Sequence, residues 1–367
     1  MAYEVLARKW RPQRFADVQG QAHITQTLQH AIQRGRVGHA YLFVGSRGIG
    51  KTTSARIFAK ALNCLSPATD ADGRIEPCCA CSSCKEIATG SCLDVLEIDG
   101  ASNNGVENIR ELRETVQYSP TNGRKYKIYI IDEVHMLTAG AWNALLKTLE
   151  EPPPHVKFLF ATTEAHKVLP TILSRCQRFD LKRIPVPIIV KRLTEIAQKE
   201  SVHVTEGALT IIARAAEGGM RDAQSAFDQM IAFCGGDDPG NPITEQDVTD
   251  VFGLTSHAEL QRVAAAMLGN KPADVIDVIH ALSDKGRNLE RFYADMLTYL
   301  RNIMVCQVAD SPAKVLDVSE SELEELAAMG NGSRPEVVQR LVEGLLANDG
   351  SIRHTLNKRV FLEATFL

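Results

Sequence analysis

Over its first half the chain alternates short, wholly apolar runs with longer stretches whose apolar residues recur at helical spacing, and over its second half only the helical spacing persists. Ala40-Tyr41-Leu42-Phe43-Val44 has no polar face and is too short for a helix, which predicts a strand buried on both sides. Leu93 to Asp99, Lys127 to Ile131, Val156 to Ala161 and Gln177 to Leu181 read as further strands. Between them lie helical patterns: Thr53 to Leu62 with Ile57, Phe58, Ala61 and Leu62 on one face, a helix running to about Val116, and Gly140 to Glu150, stopped by Pro152-Pro153-Pro154. Strands alternating with helices predict an α/β fold with a parallel sheet covered on both faces.

After Leu181 the pattern changes. Pro185 and Pro187 mark a linker, and Ile188 to Lys199, Glu206 to Ala216 and Arg221 to Phe233 read as three amphipathic helices. Gly235 to Pro242 is a Gly/Asp/Pro-rich loop, and Thr244 with Asp247 forms a capping signal for a short helix. From about Leu254 the pattern is entirely helical, broken near Gly269 to Pro272, Lys285 to Asn288 and Gly330 to Gly332, with no catalytic cluster in view. Leu367 falls inside an apolar helical pattern, consistent with either a short form or a truncated piece.

The 367 residues are too many for one ordinary core and predict two or three domains. A net charge of -4 excludes a polycation that grips nucleic acid by bulk charge, while leaving room for a local basic surface. No apolar run approaches the roughly 20 residues that span a bilayer, and Met1-Ala2-Tyr3-Glu4 opens no signal peptide, so a cytoplasmic protein is expected. In that compartment nine cysteines point to metal or buried thiols.

Candidate chemistry concentrates at strand ends. Gly45-Ser46-Arg47-Gly48-Ile49-Gly50-Lys51-Thr52 fits G-x-x-x-x-G-K-[ST] between a predicted strand and helix, where backbone N–H groups and the helix N-terminus face phosphate. Lys51 would reach the terminal phosphates and the Thr52 hydroxyl would ligate magnesium. Asp132-Glu133 closes the Lys127 strand: Asp132 would hold magnesium through water, and Glu133 would polarise the attacking water. Cys64, Cys78, Cys81 and Cys84 read C-x13-C-x2-C-x2-C, a closed four-thiolate set suited to one structural Zn2+, with an iron–sulfur cluster as the competing metal. Cys79 is a spare thiol able to replace a neighbour, and Cys92, Cys176, Cys234 and Cys306 read as buried apolar residues.

With these motifs assembled, the whole chain resembles the tau/gamma subunits of the bacterial DNA polymerase III clamp loader, a family of AAA+ ATPases. The resemblance rests on Leu6 to Pro12 with Phe15 to Gln21, the phosphate loop, the four-cysteine insert, Ile131 to Leu137, Asn143 to Pro153, Ala161-Thr162-Thr163, Ser174-Arg175-Cys176 and Arg221-Asp222-Ala223. It implies an AAA+ core at residues 1–182 with a zinc insert at 64–84, a helical lid at 183–245 and an all-α collar at 246–367 that assembles a hetero-pentameric ring. It implies Arg11, Pro12 and Val18 at the adenine, and Gly45, Gly48, Ile49, Gly50, Lys51, Thr52 and Thr53 at the phosphates of ATP. Thr163 resembles the first sensor of the γ-phosphate, Arg221 the second, and Arg175 the finger that reaches a neighbouring subunit's nucleotide.

The implied partners are the other loader subunits, the sliding clamp and primed-template DNA, with Ser102, Asn103 and Asn104 as candidate phosphate contacts or ordinary helix-capping residues. An AAA+ DNA motor of the Holliday-junction helicase type is the alternative that shares the ATP motifs. The family's long form continues beyond the collar.

Overall fold

The computed structural model describes residues 3–121, 123–236, 238–316, 318 and 320–367. Asp237, in the predicted Gly235 to Pro242 loop, lies outside the described residues. The chain divides into two compact units, Met1–Val202 with Ile212–Ile231, and His203–Ile211 with Ala232–Leu367.

The strands are β1 (Ala40–Val44), β2 (Ala68–Thr69), β3 (Ile75–Glu76), β4 (Val95–Asp99), β5 (Lys127–Asp132), β6 (Val156–Thr162) and β7 (Gln177–Asp180). Five of them form one sheet in the order β4-β5-β6-β1-β7, and every pairing in it is parallel. Each central strand alternates between two cores. Tyr41 and Phe43 pack with Ile24, Leu28, Ile57 and Phe58 on one face, and Leu42, Phe158 and Phe160 pack with Leu112, Trp142 and Leu145 on the other. Burial on both faces is why these strands carry no polar positions at their centres.

The predicted strands all form: β4 and β7 are trimmed at one end, and β5 and β6 run one residue further than expected. Leu93 and Asp94 lie in a turn before β4, where the Asp94 carboxylate is committed to Thr121 and Arg124. Leu181 lies past β7, although its amide still donates to the Val44 carbonyl at 2.8 Å. Pro185 and Pro187 mark a helix start in place of a linker: Val186–Glu200 begins with Pro187 in its first turn, where a missing N–H costs nothing.

The cysteine segment holds two elements absent from the sequence reading. The hairpin β2-β3 is antiparallel, and Ser82–Thr89 is a helix whose N-cap is Cys81. In the second unit the helices His257–Leu268, Pro272–Asp284, Leu289–Val308, Glu320–Asn331, Pro335–Asn348 and Lys358–Phe366 surround a core built on Phe292, Tyr293, Met296, Leu300 and Phe366. Capping boxes at Thr244–Asp247 and Ser256–Glu259 set two helix starts.

Candidate nucleotide site and cysteine cluster

The C-terminal ends of β1, β5 and β6 converge because their parallel register sets Val44 beside Thr162 and Ile131 beside Phe160. The phosphate loop leaves β1 there, and the helix Lys51–Asn63 begins at once behind Gly50. Gly50 takes φ 107°, a left-handed conformation that glycine adopts without steric cost. Gly48 combines a φ of 76° with close packing, since a Cβ would lie 2.4 Å from Asp222 Oδ2.

Lys51 is 6% exposed, and its ammonium donates to the Gly45 and Ser46 carbonyls, each at 2.9 Å. Burial pulls its pKa down, opposed by Glu133 and Asp132. Thr52 Oγ1 donates to Asp132 Oδ2 at 2.5 Å, so the two expected magnesium residues already meet. Asp132 Oδ1 accepts the Glu133 amide at 2.9 Å, and Glu133 sits at φ 44°, which turns its side chain away from the line of β5. Thr163 Oγ1 donates to Glu133 Oε2 at 3.3 Å. Thus Lys51, Thr52, Asp132, Glu133 and Thr163, scattered over more than a hundred positions, occupy one strand-end site.

His135 had no assigned role in the sequence. Its side chain is 7% exposed, with Nδ1 3.0 Å from Thr162 Oγ1 and 3.4 Å from Glu133 Oε2, and Nε2 3.1 Å from Glu164 Oε2. It therefore fixes the surroundings of the glutamate. Its place two residues after Glu133 is the only sequence signal.

Beside the phosphate loop is a cavity of about 520 Å³. Arg11, Pro12 and Val18, the residues expected at the base, line it together with Trp10, Gly50 and Arg221. Arg11 Nε donates to Thr53 Oγ1 at 3.2 Å, and burial, followed by repulsion from Arg56, lowers Arg11 to about 10. Arg221 lies in the first turn of the helix Met220–Cys234, and its amide donates to the Gly48 carbonyl at 3.1 Å, joining that helix to the loop. Trp10, another residue given no individual role from sequence, donates from Nε1 to Glu200 at 2.8 Å and carries Arg192 and Lys199 near its ring.

Arg175 lies outside this cluster. Its guanidinium donates to the Thr171 carbonyl at 2.6 Å and pairs with Glu150 at 2.8 Å, so the chain does not bring it to its own phosphate loop. Ser102, Asn103 and Asn104 precede the helix Val106–Thr115, whose N-cap is Gly105. Ser102 Oγ donates to Asp99 and the Asn104 carbonyl accepts from Thr138, which gives these residues local turn roles.

The Cys64, Cys78, Cys81 and Cys84 sulfurs all lie within 4.8 Å of one another. Tetrahedral zinc with bonds of about 2.3 Å needs sulfurs about 3.8 Å apart, so the set fits with little adjustment. Backbone amides support thiolates here: those of Ala80 and Cys81 donate to Cys78 Sγ at 3.4 and 3.3 Å, and that of Cys84 donates to Cys81 Sγ at 3.4 Å. Burial opposes ionisation of Cys78, yet these amides bring it down to about 6, while burial pushes Cys84 up. Cys79 faces elsewhere, its sulfur 3.8 Å from Lys60 Nζ and 3.4 Å from the Gln13 carbonyl. Of the other cysteines Cys92 is buried as expected, whereas Cys176, Cys234 and Cys306 are only partly so.

Comparison with known proteins agrees along the chain. Residues 20–185 match the family described as DNA polymerase III, delta subunit. Residues 188–236 match the DNA polymerase III clamp loader subunit, ATPase lid domain, and residues 243–367 match DNA polymerase III subunits gamma and tau domain III. DNA polymerase III subunit tau of Bacillus subtilis is 43% identical over 363 residues, 99% of this chain and 62% of that protein. Subunit tau of Escherichia coli is 41% identical, covering 100% of this chain and 55% of that one, so the chain spans little more than half the length of these tau relatives. Subunit gamma of Buchnera aphidicola (subsp. Acyrthosiphon pisum) is 43% identical over 84% of this chain and 82% of its own length. Among solved structures, the Thermotoga maritima RuvB Holliday junction branch migration motor aligns at 17% identity and a TM-score of 0.48, covering 71% of this chain and 80% of that one, too remote to bear on function. With the gamma relative matched over most of both chains and three family matches in chain order, the chain belongs to the DNA polymerase III tau/gamma subunit family.

Proposed function

We propose that the chain is the ATP-hydrolysing subunit of a bacterial DNA polymerase III clamp loader, using ATP to open a sliding clamp and place it on primed DNA. The observation that carries the reading is the meeting of Lys51, Thr52, Asp132, Glu133 and Thr163 at the ends of β1, β5 and β6, beside a cavity of about 520 Å³. Lys51 exchanges its two loop carbonyls for phosphate oxygens. Thr52 and, through water, Asp132 would hold magnesium, which would supply charge neutralisation at the phosphates. Glu133, oriented by Thr163 and flanked by His135, polarises the attacking water. Arg11, Pro12 and Val18 enclose the adenine, and Arg221 reports the γ-phosphate to its helix.

Arg175 acts on the nucleotide of an adjacent subunit, which accounts for its position away from its own phosphate loop. The segments 1–182, 183–245 and 246–367 serve as core, lid and collar, the collar joining this chain to the other loader subunits in a ring. Cys64, Cys78, Cys81 and Cys84 hold one structural zinc. Ser102, Asn103 and Asn104 face the DNA backbone at the mouth of their helix. The protein works in the bacterial cytoplasm; none of the described helices is long and apolar enough to cross a membrane.

The test compares equilibrium ATP binding and steady-state hydrolysis for the wild-type chain, Lys51→Ala and Glu133→Gln. Loss of binding in the first and loss of turnover with retained binding in the second support the assignment. Turnover of Glu133→Gln at the wild-type rate contradicts it.

A further inference from the structure

The insert that carries the four cysteines also holds one wall of the cavity beside the phosphate loop. Glu76 ends β3, two positions before Cys78, and is 4% exposed. Its carboxylate accepts the Phe15 amide at 2.8 Å, the Ala16 amide at 3.0 Å and Gln29 Nε2 at 3.1 Å. Phe15 and Ala16 open the short turn Phe15–Asp17, and Asp17 and Val18 at its far end line the cavity. A buried backbone donor needs a partner, and here one carboxylate from the insert serves both the buried Phe15 amide and the partly buried Ala16 amide.

Two further ties run alongside. The Gln13 carbonyl takes the Cys79 thiol at 3.4 Å, and the Gln13 and Arg14 amides donate to Asp17 Oδ2 at 3.2 and 3.0 Å. On the neighbouring helix Ala22–Gln33, Gln29 and Gln33 bond the hairpin carbonyls of Ile75 and Gly73 at 3.1 and 2.8 Å. The cavity wall is therefore fastened to the metal-ligand segment through side chains, with Glu76 as the central charged group.

We propose that Glu76 is a positioning residue through which the cysteine insert fixes the base pocket, so that metal in the cysteine cluster tightens binding of the base-bearing part of a nucleotide. The proposal rests on the nucleotide reading above. On that reading Lys51 and the phosphate loop hold the phosphates while Glu76 bonds the Phe15–Asp17 turn, so a ligand without a base is indifferent to Glu76. Removing the charged acceptor weakens ATP by about tenfold, the scale of one charge-assisted hydrogen bond.

The experiment uses the full chain, a fluorescent ATP analogue, and displacement by ATP or by inorganic tripolyphosphate. Glu76→Gln keeps the side-chain volume and one acceptor oxygen, and Glu76→Ala removes both; thermal unfolding of each variant is followed in parallel. The expected result is about tenfold weaker ATP in Glu76→Gln with tripolyphosphate unchanged, together with faster hydrogen exchange at the Phe15 and Ala16 amides and none at β5. Stripping metal with a chelator is expected to weaken ATP in the wild type by a similar factor, and to add no loss in Glu76→Gln. Equal ATP affinity in the wild type and Glu76→Gln overturns the proposal, as does a parallel loss of ATP and tripolyphosphate, which marks a general structural role. Failure of the wild-type chain to bind ATP at all overturns the nucleotide reading, and this proposal with it.

Discussion

Glu133 illustrates how the site is assembled residue by residue. A left-handed glutamate costs on the order of 1–3 kcal/mol, and its side chain is met there by one hydrogen bond from Thr163 and by His135 at 3.4 Å. If Glu133 acts on water and Lys51 on phosphate, as proposed, their substitutions separate. Lys51→Ala is expected to abolish measurable ATP binding, whereas Glu133→Gln retains affinity within a few-fold and loses about 10²- to 10⁴-fold in turnover. A second residue-scale expectation concerns the buried pair of Asp94 and Arg124, 2.9 Å apart with side chains 3% and 2% exposed. Burial pushes Asp94 up, but hydrogen bonds from Thr121 and Arg124 outweigh it and hold the carboxyl below its usual range. A depressed carboxyl stabilises the fold above its unfolded value of about 3.9 and loses that contribution as pH falls through the folded value. Asp94→Asn is therefore expected to lower the thermal midpoint clearly at pH 7, with the gap from wild type closing below about pH 4. A gap independent of pH contradicts this. At this scale the phosphate loop and Asp132-Glu133 were legible because each is contiguous in sequence and named by its own spacing. Glu76 and His135 were not, since their meaning lies in partners such as Ala16 and Thr162, 60 and 27 positions away, that only the fold supplies.

Among elements, the strands were the most readable, because double burial leaves an unbroken apolar run such as Tyr129 to Ile131. The hairpin β2-β3 has two residues per strand, too few to leave a periodic signal, and Pro187 is as compatible with a helix's first turn as with a linker. The cysteine insert was legible as a ligand set but not as a support for the cavity wall. One zinc per chain is expected by elemental analysis of freshly purified protein; iron or no metal contradicts the assignment. Cys81→Ser removes a proposed metal ligand while leaving a hydroxyl able to cap the helix Ser82–Thr89, where the Cys81 sulfur accepts the Cys84 amide. This change is expected to lower the thermal midpoint and soluble yield ahead of any loss in turnover per folded molecule. In the second unit Met296 is fully buried among helices, and Met296→Ala is expected to cost about 2–5 kcal/mol in denaturant unfolding of that unit.

For the whole molecule, Arg175 is bound to Glu150 and Thr171 away from the phosphate loop of its own chain, as its proposed role across an interface requires. An arginine delivered across an interface is worth about 10³ to 10⁵ in rate where such fingers operate, so the chain alone should be a weak ATPase. Mixed assemblies of Arg175→Ala with Lys51→Ala chains are expected to recover turnover above either mutant alone, since the Lys51→Ala neighbour still offers its finger. Absence of recovery in verified mixed assemblies removes that role from Arg175. The central claim, that ATP use by this chain serves clamp loading, is tested most directly by ATP hydrolysis of the chain assembled with the other loader subunits, with and without sliding clamp and primed DNA together. The account predicts slow hydrolysis by the assembly alone, marked stimulation only when both clamp and primed DNA are present, and no stimulation with Glu133→Gln. Hydrolysis indifferent to clamp and primer, or driven equally by long duplex DNA without a clamp, would contradict it.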